Sequence, residues 1–127
     1  MPTIVHFEIP ADDFERARKF YSELFDWKIE KYEGPLTTPM EYWTITTENE
    51  KGEGGVPGGM MKRQNPQQSI TNYIDVPSIE EYAAKVEKFG GKVVVPKTPV
   101  PGWGYFALCL DTENNSFAIW ETDTKAK

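Results

Sequence analysis

Apolar and polar residues alternate with two different periods along this chain, and the points where one period gives way to the other outline its elements. Ile4 to Ile9 reads as a strand, which Pro10-Ala11-Asp12-Asp13 interrupts while offering a helix cap. Phe14, Ala17, Phe20, Tyr21, Leu24 and Phe25 then fall at offsets 0, 3, 6, 7, 10 and 11, the spacing of one face of an amphipathic helix. Trp27 to Glu33 predicts a strand, Gly34 to Pro39 a loop, and Glu41 to Thr47 a strand rich in β-branched and aromatic residues. After the turn-rich stretch Glu48 to Gly54, the apolar segment Val56 to Met61 supplies a fourth strand.

The second half repeats this order. Ile70 to Val76 predicts a strand that Pro77 stops, and Ser78-Ile79-Glu80-Glu81 has the form of a capping box. Ile79, Tyr82, Ala83, Val86 and Phe89 stand at offsets 0, 3, 4, 7 and 10 before Gly90-Gly91 ends the helix. Lys92 to Val95, Tyr105 to Leu110 and Ser116 to Glu121 supply three more strands, with Pro96 to Gly104 as a loop that presents Trp103. Both halves therefore read β-α-β-β-β, residues 1–63 and 70–122, joined by the polar linker Gln64 to Ser69 in a single domain over 1–127. One helix on a sheet of about 60 residues leaves the opposite sheet face unpaired. Pairing two such α+β modules is the expected remedy, a curled mixed sheet around a cavity.

Composition narrows the chemistry. The chain has one Cys and one His, which excludes an internal disulfide, a Cys-rich zinc or iron–sulfur site, and any two-His metal site within one chain. A formal net charge of −6 argues against nucleic acid as a partner, whose affinity comes from clustered Lys and Arg. No apolar run approaches the length of a membrane span, and the first residues do not form a signal peptide, so a soluble cytoplasmic protein is expected. GEGGVPGG, Gly52 to Gly59, lacks the Lys-Ser/Thr ending and the following helix of a phosphate loop and reads as a turn leading into a strand. Cys109, between Leu108 and Leu110, reads as a buried inert thiol, and Lys62-Arg63 as a solvated pair.

His6-Phe7-Glu8-Ile9-Pro10-Ala11-Asp12-Asp13, with Phe20-Tyr21 seven residues after Asp13 and Phe25-Asp26-Trp27 closing the helix, resembles the opening of a known group. That group is the vicinal oxygen chelate superfamily: glyoxalases, bleomycin-resistance proteins and extradiol dioxygenases. Gly90-Gly91, Gly102-Trp103-Gly104-Tyr105-Phe106 and Asp111-Thr112-Glu113-Asn114-Asn115 are similar to its second-module pattern. Asn114 stands where the group has Gly, at a place that calls for a left-handed backbone, which Asn tolerates. The resemblance implies paired βαβββ modules, often in a homodimer, and a fold that serves lyases, epimerases, dioxygenases and plain binding proteins.

It also implies four metal-ligand positions, which fall on His6, Gly59, Thr71 and Ala118; of these only His6 can serve as a ligand. No cofactor is therefore expected. A non-standard set of His6, Glu8 and Asp75 offers the alternative, one nitrogen and two carboxylates for a divalent ion. Glu121 is three residues from Ala118 and so faces the other way. The remaining positions are apolar and aromatic: Met61 shares a face with Gly59, Tyr73 with Thr71, and Trp120 with Ala118. Trp43, Trp103 and Tyr105 join them as candidate ligand-binding residues, and His6 is the candidate acid/base. These residues suit a small hydrophobic or aromatic molecule in a cavity without the usual metal, bound by a glyoxalase-like homodimer. Any enzyme among the readings is a glyoxalase-like lyase or isomerase or a dioxygenase, not a standard glyoxalase I. The alternatives are a metal-dependent lyase, epimerase or dioxygenase using His6, Glu8 and Asp75, and a sequestration protein of the bleomycin-resistance kind.

Overall fold

A computed structural model describes residues 1–34 and 41–127, so the loop expected over Gly34 to Pro39 lies, apart from Gly34, outside the described residues. The elements run β1 (Ile4–Ala11), α1 (Phe14–Phe25), β2 (Lys28–Lys31), β3 (Tyr42–Thr46), β4 (Gly58–Lys62), β5 (Thr71–Asp75), α2 (Ile79–Lys88), β6 (Lys92–Val100), β7 (Gly104–Leu110) and β8 (Ser116–Thr122). This is βαβββ twice, in the α+β class. The chain forms two compact units, His6–Ile70 and Thr71–Lys127, the latter joined by Met1–Val5. The first five residues thus leave the module in which the repeat places them, and the Asp75 amide donates to the Thr3 carbonyl at 2.9 Å.

In the N-terminal unit the strand order is β2-β3-β4-β1, with β1 parallel to β4 and the other pairs antiparallel. Asp13 caps α1 by accepting from the Arg16 amide at 3.0 Å, and Asp26 ends it in the left-handed region at φ 61°. Phe14, Ala17 and Tyr21 pack on a core of Ile9, Ala11, Ile29, Ile45 and Met60. Phe20, Leu24 and Phe25 are exposed instead, because the first two lie at the flank of the helical arc and Phe25 is the last helical residue.

The C-terminal unit has the order β5-β8-β7-β6, again with its outer module strands, β5 and β8, in parallel. Val76, Ile79, Ala107, Cys109 and Ile119 form its core under α2. Only half of the capping box forms. Ser78 Oγ accepts from the Glu81 amide, but the Glu81 carboxylate turns outward to Lys85, and Glu121 Oε1 takes the orphan Ile79 amide at 2.8 Å. The expected loop over Pro96 to Gly104 is largely strand, since β6 continues to Val100. Its prolines are tolerated because β6 pairs only with β7, and the ladder breaks register between Val93 and Thr98.

Candidate functional site

Register decides which side chains of the N-terminal unit can meet a ligand. Phe7, Ile9, Gly58, Met60, Trp43, Ile45 and Ile29 occupy the sheet face under α1. Strand alternation therefore turns His6, Glu8, Pro10, Gly59, Met61, Tyr42 and Thr44 to the opposite face, which no helix of this unit covers. Trp43 is thus withdrawn from the candidate site. Its ring stacks on Phe14 with centroids 6.0 Å apart, and its indole nitrogen donates to Glu41 at 2.6 Å.

On the open face, three polar groups join. Tyr42 Oη lies 2.8 Å from His6 Nε2 and donates to Glu8 Oε2 at 3.1 Å, while His6 Nε2 and Glu8 Oε2 are 3.9 Å apart. The His6 and Glu8 side chains retain only 29% and 16% of their exposure. Burial lowers the His6 pKa from its ordinary value, which keeps the ring neutral at pH 7. Tyr42 Oη thus contacts both the His6 ring and the Glu8 carboxylate, and the direction of its bond with His6 follows the imidazole tautomer.

Gly59 makes this arrangement possible. A Cβ there would stand 1.7 Å from Tyr42 Oη and 2.2 Å from the ring carbon that carries it. Tyr42 pairs with Met61 across the β3–β4 ladder, so its ring leans diagonally over Gly59, and the missing side chain is the space the phenol fills. Tyr42 is the site residue that the sequence reading passed over. Its signal was present: Trp43 and Ile45 are apolar while Thr44 and Thr46 are polar, and that alternation puts Tyr42 with the threonines.

In the C-terminal unit the face away from α2 carries Thr71, Tyr73, Asp75, Ala118, Trp120 and Phe106. The Tyr73 and Phe106 rings stand 6.5 Å apart, and Trp120 Nε1 donates to Thr122 Oγ1 at 3.0 Å. Tyr105 belongs to the other face, packed against the α2 core with Lys97 Nζ 4.3 Å from its ring centre. Trp103 lies in the turn after β6 and is 58% exposed. Two open depressions, one along the charged outer side of α1 and one beside Asp12 and Arg63 to Pro66, hold none of the predicted site residues.

A sequence profile of the glyoxalase/bleomycin resistance protein/dioxygenase superfamily matches residues 3–119. The chain belongs to this superfamily. A glyoxylase-like domain-containing protein of Didymella fabae is 32% identical over 118 residues, 88% of each chain. Among solved structures, a hypothetical protein of Bacillus halodurans superposes with a TM-score of 0.67 at 14% identity, covering 99% of this chain and 98% of that one. A Streptomyces coelicolor methylmalonyl-CoA epimerase variant in complex with 2-nitronate-propionyl-CoA gives 0.65 at 10% identity, covering 98% and 97%. At these identities the two structures share the fold.

The chelating positions that superfamily membership implies can be tested on the donors this member supplies. His6 Nε2 is already engaged by Tyr42, Gly59 carries no side chain and has the Tyr42 phenol in its place, Thr71 offers a neutral hydroxyl, and Ala118 is a fully buried methyl group. One imidazole and one hydroxyl do not make a divalent site, which needs three or four nitrogen, oxygen or sulfur donors. Among the described residues no three His, Cys, Asp or Glu side chains group in a way that could hold an ion. The usual ion does not fit these residues, and no chemistry is derived through one. Also among the described residues, no helix is long and apolar enough to cross a membrane.

Proposed function

We propose that this superfamily member binds a small, flat, largely apolar organic molecule on the open face of its N-terminal unit, and does so without a divalent ion. The carrying observation is the exchange at Gly59, where a tyrosine hydroxyl fills the space of a side chain that would otherwise project from β4. The face then combines an apolar floor with one polar end. The half-buried Met61 shares the face with Tyr42, and the His6–Tyr42–Glu8 array supplies hydrogen-bonding atoms that fix a carbonyl or hydroxyl group. The glyoxylase-like name of the Didymella relative and the acyl-CoA ligand of the epimerase agree with a small carbonyl compound as the class of ligand.

Protein purified without chelator and analysed for metals is expected to carry far less than one divalent ion per chain. Saturation-transfer NMR against a panel of benzaldehyde, acetophenone, catechol and 2-naphthol is expected to show binding that weakens in Tyr42→Ala. A stoichiometric ion that His6→Ala removes would restore the metal-dependent reading, and a flat response across the panel defeats the proposed ligand class.

A further inference from the structure

The two modules repeat each other, yet their helices differ in a way the fold does not require. α2 follows the favourable order of charge along a helix: Glu80 and Glu81 stand in its first turn, Lys85 and Lys88 in its last, and Glu81 pairs with Lys85. Its exposed positions are charged apart from Ala84. α1 inverts both features. Glu15, the acid of its first turn, is taken by Arg18 at 2.8 Å, which leaves Arg16 as the free charge of that turn, while the last turn holds Glu23 and no basic residue. Both charges oppose the partial charge of the helix end they occupy. Among the described residues neither Arg16 nor Glu23 forms an ion pair within the chain. Between and beyond them, Phe20, Leu24 and Phe25 stay 58%, 57% and 55% exposed. The Phe20 ring rests edge-on against Tyr21 and the Phe25 ring against Trp27, with centroids 5.2 and 5.3 Å apart, so both are held in place before any partner arrives. Each ring still offers on the order of 100 Å² of surface, and with Leu24 the patch reaches the few hundred Å² that mark an interaction site.

We propose that this flank of α1 is the docking surface for a second copy of the chain, whose own α1 lies antiparallel across it. A two-fold axis beside Phe20 sets Phe20 against the partner's Phe20 and Leu24 against the aliphatic stem of the partner's Arg16. Arg16 lies four residues before Phe20 and Glu23 three residues after it, about 6 Å and 4.5 Å along the helix and on the same side of it. Reversing one helix therefore brings Arg16 level with the partner's Glu23 to within about 1.5 Å, and the symmetry repeats the pair. A parallel pairing would instead set like charges side by side. The charges that weaken α1 in one chain thus answer each other in two, and each helix end meets the opposite end of its neighbour. Two patches of this size with their polar rims fall near or below about 1,200 Å², the low end of stable interfaces, which predicts a dissociation constant in the micromolar range.

Sedimentation equilibrium of the full chain, from low micromolar to several hundred micromolar, is expected to show a reversible monomer–dimer equilibrium. Phe20→Ser and Leu24→Ser change exposed side chains and should each weaken the dimer about tenfold or more while circular dichroism stays unchanged. Arg16→Glu and Glu23→Arg each set like charges across the axis and should weaken it several-fold, although both suit the helix dipole and leave the monomer at least as stable. The double variant Arg16→Glu/Glu23→Arg restores opposite charges on both sides and should recover the wild-type dissociation constant. A chain that stays monomeric to several hundred micromolar overturns the proposal. A dimer that none of the four single substitutions weakens overturns it as well, since that dimer uses another face. Failure of the double variant to recover affinity overturns the antiparallel arrangement.

Discussion

Burial makes His6 reluctant to hold a proton, and this leaves a mark on stability as well as on chemistry. In the unfolded chain the imidazole titrates near pH 6.5, and in the folded chain it titrates lower. Between the two values the unfolded state binds more protons, so stability falls as pH drops from about 6.5 toward the lower folded value and is fully retained above it. Glu80 and Asp111 act in the opposite sense to a raised carboxylate, each held below its ordinary value. Lys97 holds the Glu80 carboxyl down, and the Asn115 amide does the same for Asp111, so their contributions are lost as pH falls below the ordinary carboxylate range. His6→Gln keeps a hydrogen-bonding group beside Tyr42 Oη and removes the titration. Urea unfolding midpoints measured at pH 7.5, 6.5 and 5.5 should fall less steeply in this variant than in the wild type. Equal slopes would mean that His6 titrates normally in the folded protein.

The same scale shows what was legible in the sequence and what was not. Asn114 sits at φ 64°, as its place in the Asp111–Asn115 turn demanded, because a turn is a local feature whose residues reveal its backbone. Glu121 faces away from Ala118 and reaches the amide of Ile79, because parity within one strand is also local. Tyr42 was missed because its importance comes from β4: only the register between β3 and β4 shows that Gly59 leaves a gap under its ring.

At the scale of elements, two glycines that look alike in the sequence play different roles, and they should respond differently to the same substitution. At Gly59 the obstacle to a methyl group is the far end of the Tyr42 side chain, which can swing away. At Gly104, the first residue of β7, a Cβ would stand 2.2 Å from the Glu121 backbone oxygen and 2.8 Å from the Trp120 ring. That oxygen belongs to β8, which pairs with β7 along its whole length, so relief requires the ladder itself to shift. Gly59→Ala should therefore cost about 1–3 kcal/mol, in the range of ordinary overpacking, and separate Tyr42 from His6. Gly104→Ala should cost more, about 3 kcal/mol or above. Chemical denaturation of both variants provides the comparison, and equal losses would contradict the β7–β8 spacing. The elements themselves were largely readable from periodicity. The second half of β6 was not, because Pro96, Pro99 and Pro101 together signal a loop, and only its place beside a single partner strand explains why the two within the strand are accepted.

At the scale of the molecule, the sequence repeat and the physical units do not coincide, and the difference can be tested. Periodicity assigns the first residues to the first module because they lead without a break into His6. Spatially, Met1–Val5 belongs with Thr71–Lys127, where Thr3 accepts from the Asp75 amide of β5. Within its unit β5 pairs with β8 on one side, so without Met1–Val5 a strand edge loses its partner. A unit of under about 60 residues is marginal in any case, because it buries only about 60% of the surface its unfolded chain exposes. The fragment 71–127 should accordingly unfold without a sharp transition and leave the Asp75 amide open to hydrogen exchange. Attaching residues 1–5 behind Lys127 through a Gly/Ser linker of about 12 residues, with an average reach of about 20 Å, should restore protection at Asp75. A fragment 71–127 that protects Asp75 as well as the whole chain does would show that the terminal strand adds nothing to this unit, and that the boundary belongs where the repeat puts it.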